Sequence, residues 1–123
     1  MWYTLEECSC TDGKSAAAIV SAPADSPLFD GHFPGDPVLP GIGQLAMVAD
    51  ILGRLTGKQC SVTKLRRVKF RRKIERDEQL AITITTQKNA MFAFRVTTGK
   101  DNLVCSGLMA ANHNGKAKEQ PRP

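Results

Sequence analysis

Near the start of the chain, "WYTLEECS" (residues 2–9) and "SAAAIVSA" (residues 15–22) flank the tetrapeptide "TDGK". An Asp-Gly centre suits a tight turn, so the pattern predicts a β-hairpin. Residues 23–41, "PADSPLFDGHFPGDPVLPG", hold five prolines in nineteen positions. Proline lacks an N–H and fixes its own φ, which excludes a central strand or a helix interior. A stiff, extended loop is predicted. Beyond it Ile42, Leu45, Met47, Val48, Ile51, Leu52 and Leu55 spread widely around a helical wheel. A helix apolar on nearly every side is a buried one. Pro40 suits its first turn and Gly57 its exit. Gly53, inside it, costs about 1 kcal/mol relative to alanine, which a close packing partner would explain.

Period-two patterns follow the helix. In "VKFRRKI" (68–74), Val68, Phe70 and Ile74 share a face with Arg72, while Lys69, Arg71 and Lys73 point the other way. "QLAITITTQ" aligns Leu80, Ile82 and Ile84, "MFAFRVTT" aligns Phe92, Phe94 and Val96, and "NLVCSGLMAA" is more fully apolar. "KN" and "GKDN" supply turns. The predicted order is hairpin, proline-rich loop, one buried helix, then an antiparallel meander. A helix apolar all round needs a sheet that wraps it, so the fold class is α+β, with a curved antiparallel sheet around a central helix. Residues 1–112 read as a single domain, and 113–123, "HNGKAKEQPRP", as a flexible tail.

Composition narrows the class. The chain has 123 residues, 41% of them hydrophobic and 24% charged, enough for one domain with a core. No apolar run approaches the ~18 residues of a membrane span. "MWYTLEECSC" carries acids where a secretory signal carries bases, and a cytoplasmic location is expected. Cys8 and Cys10 form a C-x-C pair without a partner cluster of His or Cys, which favours plain reduced thiols over a metal site or disulfide. The net charge of +5 is unevenly distributed: "KLRRVKFRRKIER" (64–76) holds eight Lys or Arg against one Glu. Such a stripe attracts an acidic partner. Lys69, Arg71, Arg72 and Lys73 are the candidates for docking it, against the plainer reading of a charged, guarded sheet edge. Only Phe70 interleaves these bases, which argues against nucleic acid.

His32 is one of two histidines. A lone histidine is more often structural, but Pro34, Pro37 and Pro40 stiffen the backbone around it. Imidazole takes and returns protons near neutral pH. The helix start at Gly41 adds N–H groups without internal partners and the positive end of the dipole. Glycine lets a carbonyl approach them closely. A base beside an oxyanion-stabilising N–H is what proton abstraction next to a thioester carbonyl requires.

"GHFPGDPVLPG" followed by a long apolar helix resembles the active-site signature of the 3-hydroxyacyl-[acyl-carrier-protein] dehydratases of the hot-dog fold. "LRRVKFRRKI" resembles that family's K-F-R strand, and "FRVTTGKDNLVCSGLM" its final hairpin. The likeness covers roughly residues 15 to 112. It implies a dimer or higher homo-oligomer with sites between subunits, no cofactor and no metal. It implies that His32 acts as base at C2 of a 3-hydroxyacyl thioester, carried on acyl carrier protein or coenzyme A. The Gly41 N–H would bind the thioester oxygen, with Phe33, Pro40, Ile42 and Ala46 against the substrate. An acid on the partner's helix would handle the departing C3 hydroxyl.

The chain departs from the pattern at that acid. The family position lies fourteen residues after the histidine, and here it is Ala46. Asp50, one turn on, is either a displaced acid or the ion-pair partner of Arg54 at i, i+4. Asp36 and Gln44 are weaker substitutes. "KIERDE" (73–78) also stands where the family has a P-V-x-P-G-D strand, which points to a divergent relative. Dehydration is the expected reaction. The alternatives are a non-catalytic protein that binds acyl thioesters or acyl carrier protein, and a thioesterase using Asp50 to activate water.

Overall fold

The computed structural model describes residues 3–21, 41–57, 60–71, 74, 78–98 and 102–113. The proline-rich segment at 22–40, with His32, lies outside them, as does the tail beyond 113.

The hairpin forms as predicted, from β1 (Thr4–Thr11) and β2 (Ser15–Ser21). The Lys14 N–H donates to the Thr11 carbonyl at 2.8 Å. Asp12 (φ 47) and Gly13 (φ 67) take the left-handed dihedrals that a tight hairpin turn needs. Next comes α1 (Gly41–Thr56), closed by the Gly57 N–H donating to the Gly53 carbonyl at 2.8 Å. Four strands complete the chain: β3 (Cys60–Phe70), β4 (Gln79–Thr86), β5 (Met91–Thr98) and β6 (Leu103–His113). All six form one antiparallel sheet in the order β1-β2-β4-β5-β6-β3.

The core lies between α1 and one face of the sheet. Met47, Val48, Ile51 and Leu52 are fully buried, and Leu55 nearly so. They meet Val20, Leu80, Ile82, Ile84, Phe94, Val96 and Met109 in one cluster, which Ile74 joins. Across the β2–β4 pair, small faces large: Ala16 opposes Ile84 and Ala18 opposes Ile82. Each buried aliphatic side chain contributes roughly 1.5–3 kcal/mol, so this face dominates what holds the helix in place.

The structure corrects three features of the sequence reading. First, the helix is not buried all round. Ala46, Asp50 and Arg54, spaced by four, form an exposed stripe, because the sheet covers α1 from one side only. Second, the basic strand begins eight residues before Val68, at Cys60, and ends at Phe70. Its first half lies at an edge with little burial to impose apolar alternation. Third, the meander contains only β4, β5 and β6. The chain leaves α1 on the far side of the sheet, where β3 pairs with β6.

β3 carries a bulge. Arg66 pairs with Leu108 and Lys69 with Ser106, so one extra residue fits between them, and Arg67 adopts φ 55. Gly107 is the reason it fits. A Cβ there would lie 2.9 Å from Val68 Cγ2 and 3.0 Å from both Phe94 Cζ and the Val68 Cα. Gly107→Ala is therefore expected to cost about 1–3 kcal/mol in urea denaturation, because backbone as well as side chain must yield. An unchanged stability would show that the bulge does not rest on the missing side chain.

Candidate active site

The first turn of α1 contains Gly41 and Gly43 and no acidic residue. Its N–H groups therefore face no carboxylate of their own turn that would compete with a ligand's oxygen. Gln44 is buried in the same turn. Gly41 is the first helical residue, as the sequence predicts. His32, Phe33 and Pro40 lie outside the described residues, and only the backbone of Ile42 is described.

Along the exposed stripe of α1, Ala46 presents a methyl group to solvent and Asp50 a carboxylate. The partner of Asp50 is one the sequence reading missed. The Tyr3 hydroxyl donates to Asp50 Oδ2 at 2.8 Å. Tyr3 is 3% exposed, so the bond ties the segment entering β1 to the middle of the helix. Burial raises the Tyr3 pKa first, and the Asp50 hydrogen bond and charge raise it further, while Arg54 opposes them. Neither expected role of Asp50 named this neighbour. The two residues lie 47 positions apart, and no periodicity links them.

Among the basic candidates, Lys69 and Arg71 are exposed, and Arg72 and Lys73 lie outside the described residues. The Arg71 N–H donates to the Val104 carbonyl at 2.7 Å, which extends the β3–β6 ladder by one bond. Cys8, Cys10 and Cys105 are free thiols. Burial pushes Cys105 up to about 11, which leaves it an inert core residue. Burial and the neighbouring Cys10 also raise Cys8. Among the described residues, no group of three or more His, Cys, Asp or Glu could hold a metal ion. No described helix is long and apolar enough to cross a membrane.

One long helix held against a six-stranded antiparallel sheet defines a hot-dog protein. The chain belongs to the ApeI-like family, whose model, described as ApeI dehydratase, matches residues 8–108. It is 35% identical over 99 residues to a 3-hydroxyacyl-[acyl-carrier-protein] dehydratase FabZ of Pelotomaculum thermopropionicum, covering 75% of this chain and 67% of that one. A second FabZ, from Acetivibrio thermocellus, is 32% identical over 101 residues, covering 76% and 66%. The chain thus spans about two thirds of the length of these curated relatives. In fold it is similar to a chain of the dehydratase heterocomplex ApeI:P from Xenorhabdus doucetiae (TM-score 0.80, 22% identity, 90% of this chain and 98% of that one).

Tyr3 is the sole tyrosine, so tyrosinate absorbance reports on it alone. In the folded protein it should titrate above the ordinary value of about 10. The sign follows from the raised folded-state pKa. The stability that Tyr3 contributes is complete below about 10 and is lost as pH climbs toward the folded pKa. Asp50→Asn should bring the titration back toward the ordinary value. A Tyr3 that ionises normally in the wild type would show that the bond does not persist.

Proposed function

We propose that the protein catalyses reversible dehydration of a 3-hydroxyacyl thioester. The observation that carries this reading is the start of α1. A glycine opens the helix four positions after the His-Phe-Pro-Gly-Asp-Pro segment, and the first turn is free of acids. Family membership supports the same reading. In it, the thioester oxygen accepts from the Gly41 N–H, which stabilises the enolate-like charge. His32 removes the proton at C2, the C3–O bond breaks, and the hydroxyl leaves as water after receiving a proton. Asp50, oriented by Tyr3, is the carboxylate that α1 carries, one turn beyond the position where the family has its acid. Phe33, Pro40, Ile42 and Ala46 would line the acyl slot. The thioester would reach it on acyl carrier protein or coenzyme A, in the cytoplasm, with no cofactor.

A homodimer fits this reading. β3 is an open edge, and Val62, Leu65 and Phe70 are 37%, 44% and 48% exposed. Their register with Ala111, Met109 and Cys105 sets them on the helix-bearing face. A second copy adding its own β3 would complete the ladder and cover these side chains.

Thioester hydrolysis is the second reading. It is favoured by an exposed carboxylate, Asp50, that a buried phenol holds in a fixed orientation and that could activate water. Purified protein offered 3-hydroxyacyl and 2-enoyl thioesters separates the two. Dehydration changes enoyl absorbance, with a loss of about 10²–10⁴-fold in His32→Ala and a smaller loss in Asp50→Asn. Release of free thiol that is abolished in Asp50→Asn would establish hydrolysis instead. Neither signal, with retained binding of acyl carrier protein, would leave a binding protein.

A further inference from the structure

A cluster of reactive side chains that the acyl chemistry leaves unused lies on β1, the C-x-C pair Cys8 and Cys10. β1 is a terminal strand of the sheet, so one of its edges is open. An irregularity between Leu5 and Glu7 inserts one residue. Leu5 opposes Val20 and packs on the core, and in a regular strand Glu7 and Ser9 would follow it on that face. Instead Cys8 opposes Ala18 and Cys10 opposes Ala16, both buried, so the two thiols share the helix-bearing face. Both remain exposed there.

Their surroundings distinguish them from a chance pair of thiols. The Cys8 thiol donates to the Cys10 sulfur, and Arg54, from the open stripe of α1, brings a positive charge near Cys8. Alanine at both facing positions of β2 puts no long side chain across the sulfurs. Among the described residues, no third His, Cys, Asp or Glu joins the pair. Four-coordinate zinc and the oxygen-seeking cations therefore lack a ligand set here.

Geometry separates the two things that such a pair can do. Residues i and i+2 of a strand are about 6.6 Å apart, with their Cα–Cβ bonds parallel. A disulfide needs Cβ atoms about 3.5–4.5 Å apart, which a strand does not offer. Two metal–thiolate bonds of about 2.3 Å, set in line, need sulfurs about 4.6 Å apart. Each side chain meets that spacing by leaning inward about 1 Å from the strand repeat.

We propose that Cys8 and Cys10 form a two-coordinate site for a soft, thiophilic cation of the Cu(I) class. The cation displaces both thiol protons to solvent and gains two sulfur bonds, with no change in its oxidation state. The resulting S–Cu–S unit carries one negative charge, which Arg54 offsets. Thiolate ligands select such a cation over harder ones.

The test offers Cu(I) to the reduced protein, without oxygen, in competition with a chromophoric Cu(I) chelator, and counts copper per chain by native mass spectrometry. The expected result is one equivalent withdrawn from the chelator. Loss of an outer-shell partner costs a metal site about 10–100-fold, so Cys8→Ser and Cys10→Ser, which remove a ligand itself, should each weaken retention by at least about 100-fold. Arg54→Gln should weaken it several-fold. Cys60→Ser, on the opposite edge strand, should leave it within about twofold. No withdrawal by the wild type would overturn the proposal, as would undiminished retention in either Cys8→Ser or Cys10→Ser, or loss in Cys60→Ser. One copper per two chains would overturn it too, as a bridge between copies. Thermal melts establish that each variant is folded, and Cys8→Ala and Cys10→Ala repeat the measurement where a serine variant is not. No acyl substrate is used, and copper retention should survive His32→Ala, so failure here and failure of the dehydration reading are told apart.

Discussion

The burial of one face of α1 against one face of the sheet is the constraint on which the rest of the molecule depends. Once Met47, Val48, Ile51 and Leu52 lie against Val20, Ile82, Phe94 and Met109, the alternation of β2, β4, β5 and β6 is fixed. A slip of one residue in any of these four would expose its apolar set, so their register is strongly specified. The same packing leaves Ala46, Asp50 and Arg54 on the open side of the helix, whose glycine-led N-terminus follows the proline-rich segment in sequence. Stability and candidate chemistry thus use opposite sides of the same sixteen residues.

β3 shows how a local irregularity redirects surface chemistry. A regular strand that kept Lys64 and Arg66 outward would turn Lys69 toward the helix side and Val68 outward. The extra residue, with Arg67 in a left-handed conformation, reverses the phase after position 66. Val68 then packs against the core while Lys69 joins the outer cations. The reversal requires close approach to β6, and Gly107 is the residue that permits it. A single missing side chain on β6 therefore decides both the half-burial of Val68 and the outward turn of Lys69.

The parts of the fold legible in the sequence were those where burial imposes a period. β4 and β5, paired through the sheet centre, announce themselves by Leu80, Ile82, Ile84 and by Phe94, Val96. The hairpin turn is legible because Asp12-Gly13 is one of few pairs that accept two left-handed residues cheaply. β3 was legible only from Val68 onward, because its first half is exposed and its side chains answer to no core. Its place beside β6 is a long-range choice that no local pattern encodes. Of the candidate site, Gly41 was readable from Pro40-Gly41 and the helix that follows. Tyr3 was not, because a hydrogen bond spanning 47 residues leaves no trace in spacing.

The Tyr3–Asp50 bond narrows what the helix stripe can do. A carboxylate on an exposed stripe would ordinarily sample several rotamers, and Arg54, four residues on, would compete for it. The phenol removes that freedom: it is itself immobilised by burial, and it donates to one oxygen, Oδ2. What is left is a carboxylate of defined direction, one turn beyond a position occupied by alanine. Pre-organisation of this kind serves proton delivery to a leaving hydroxyl and activation of a water equally well. The difference between those two reactions therefore rests with what lies across from Asp50 when substrate is bound: an imidazole acting at C2, or a water placed to attack the thioester carbonyl.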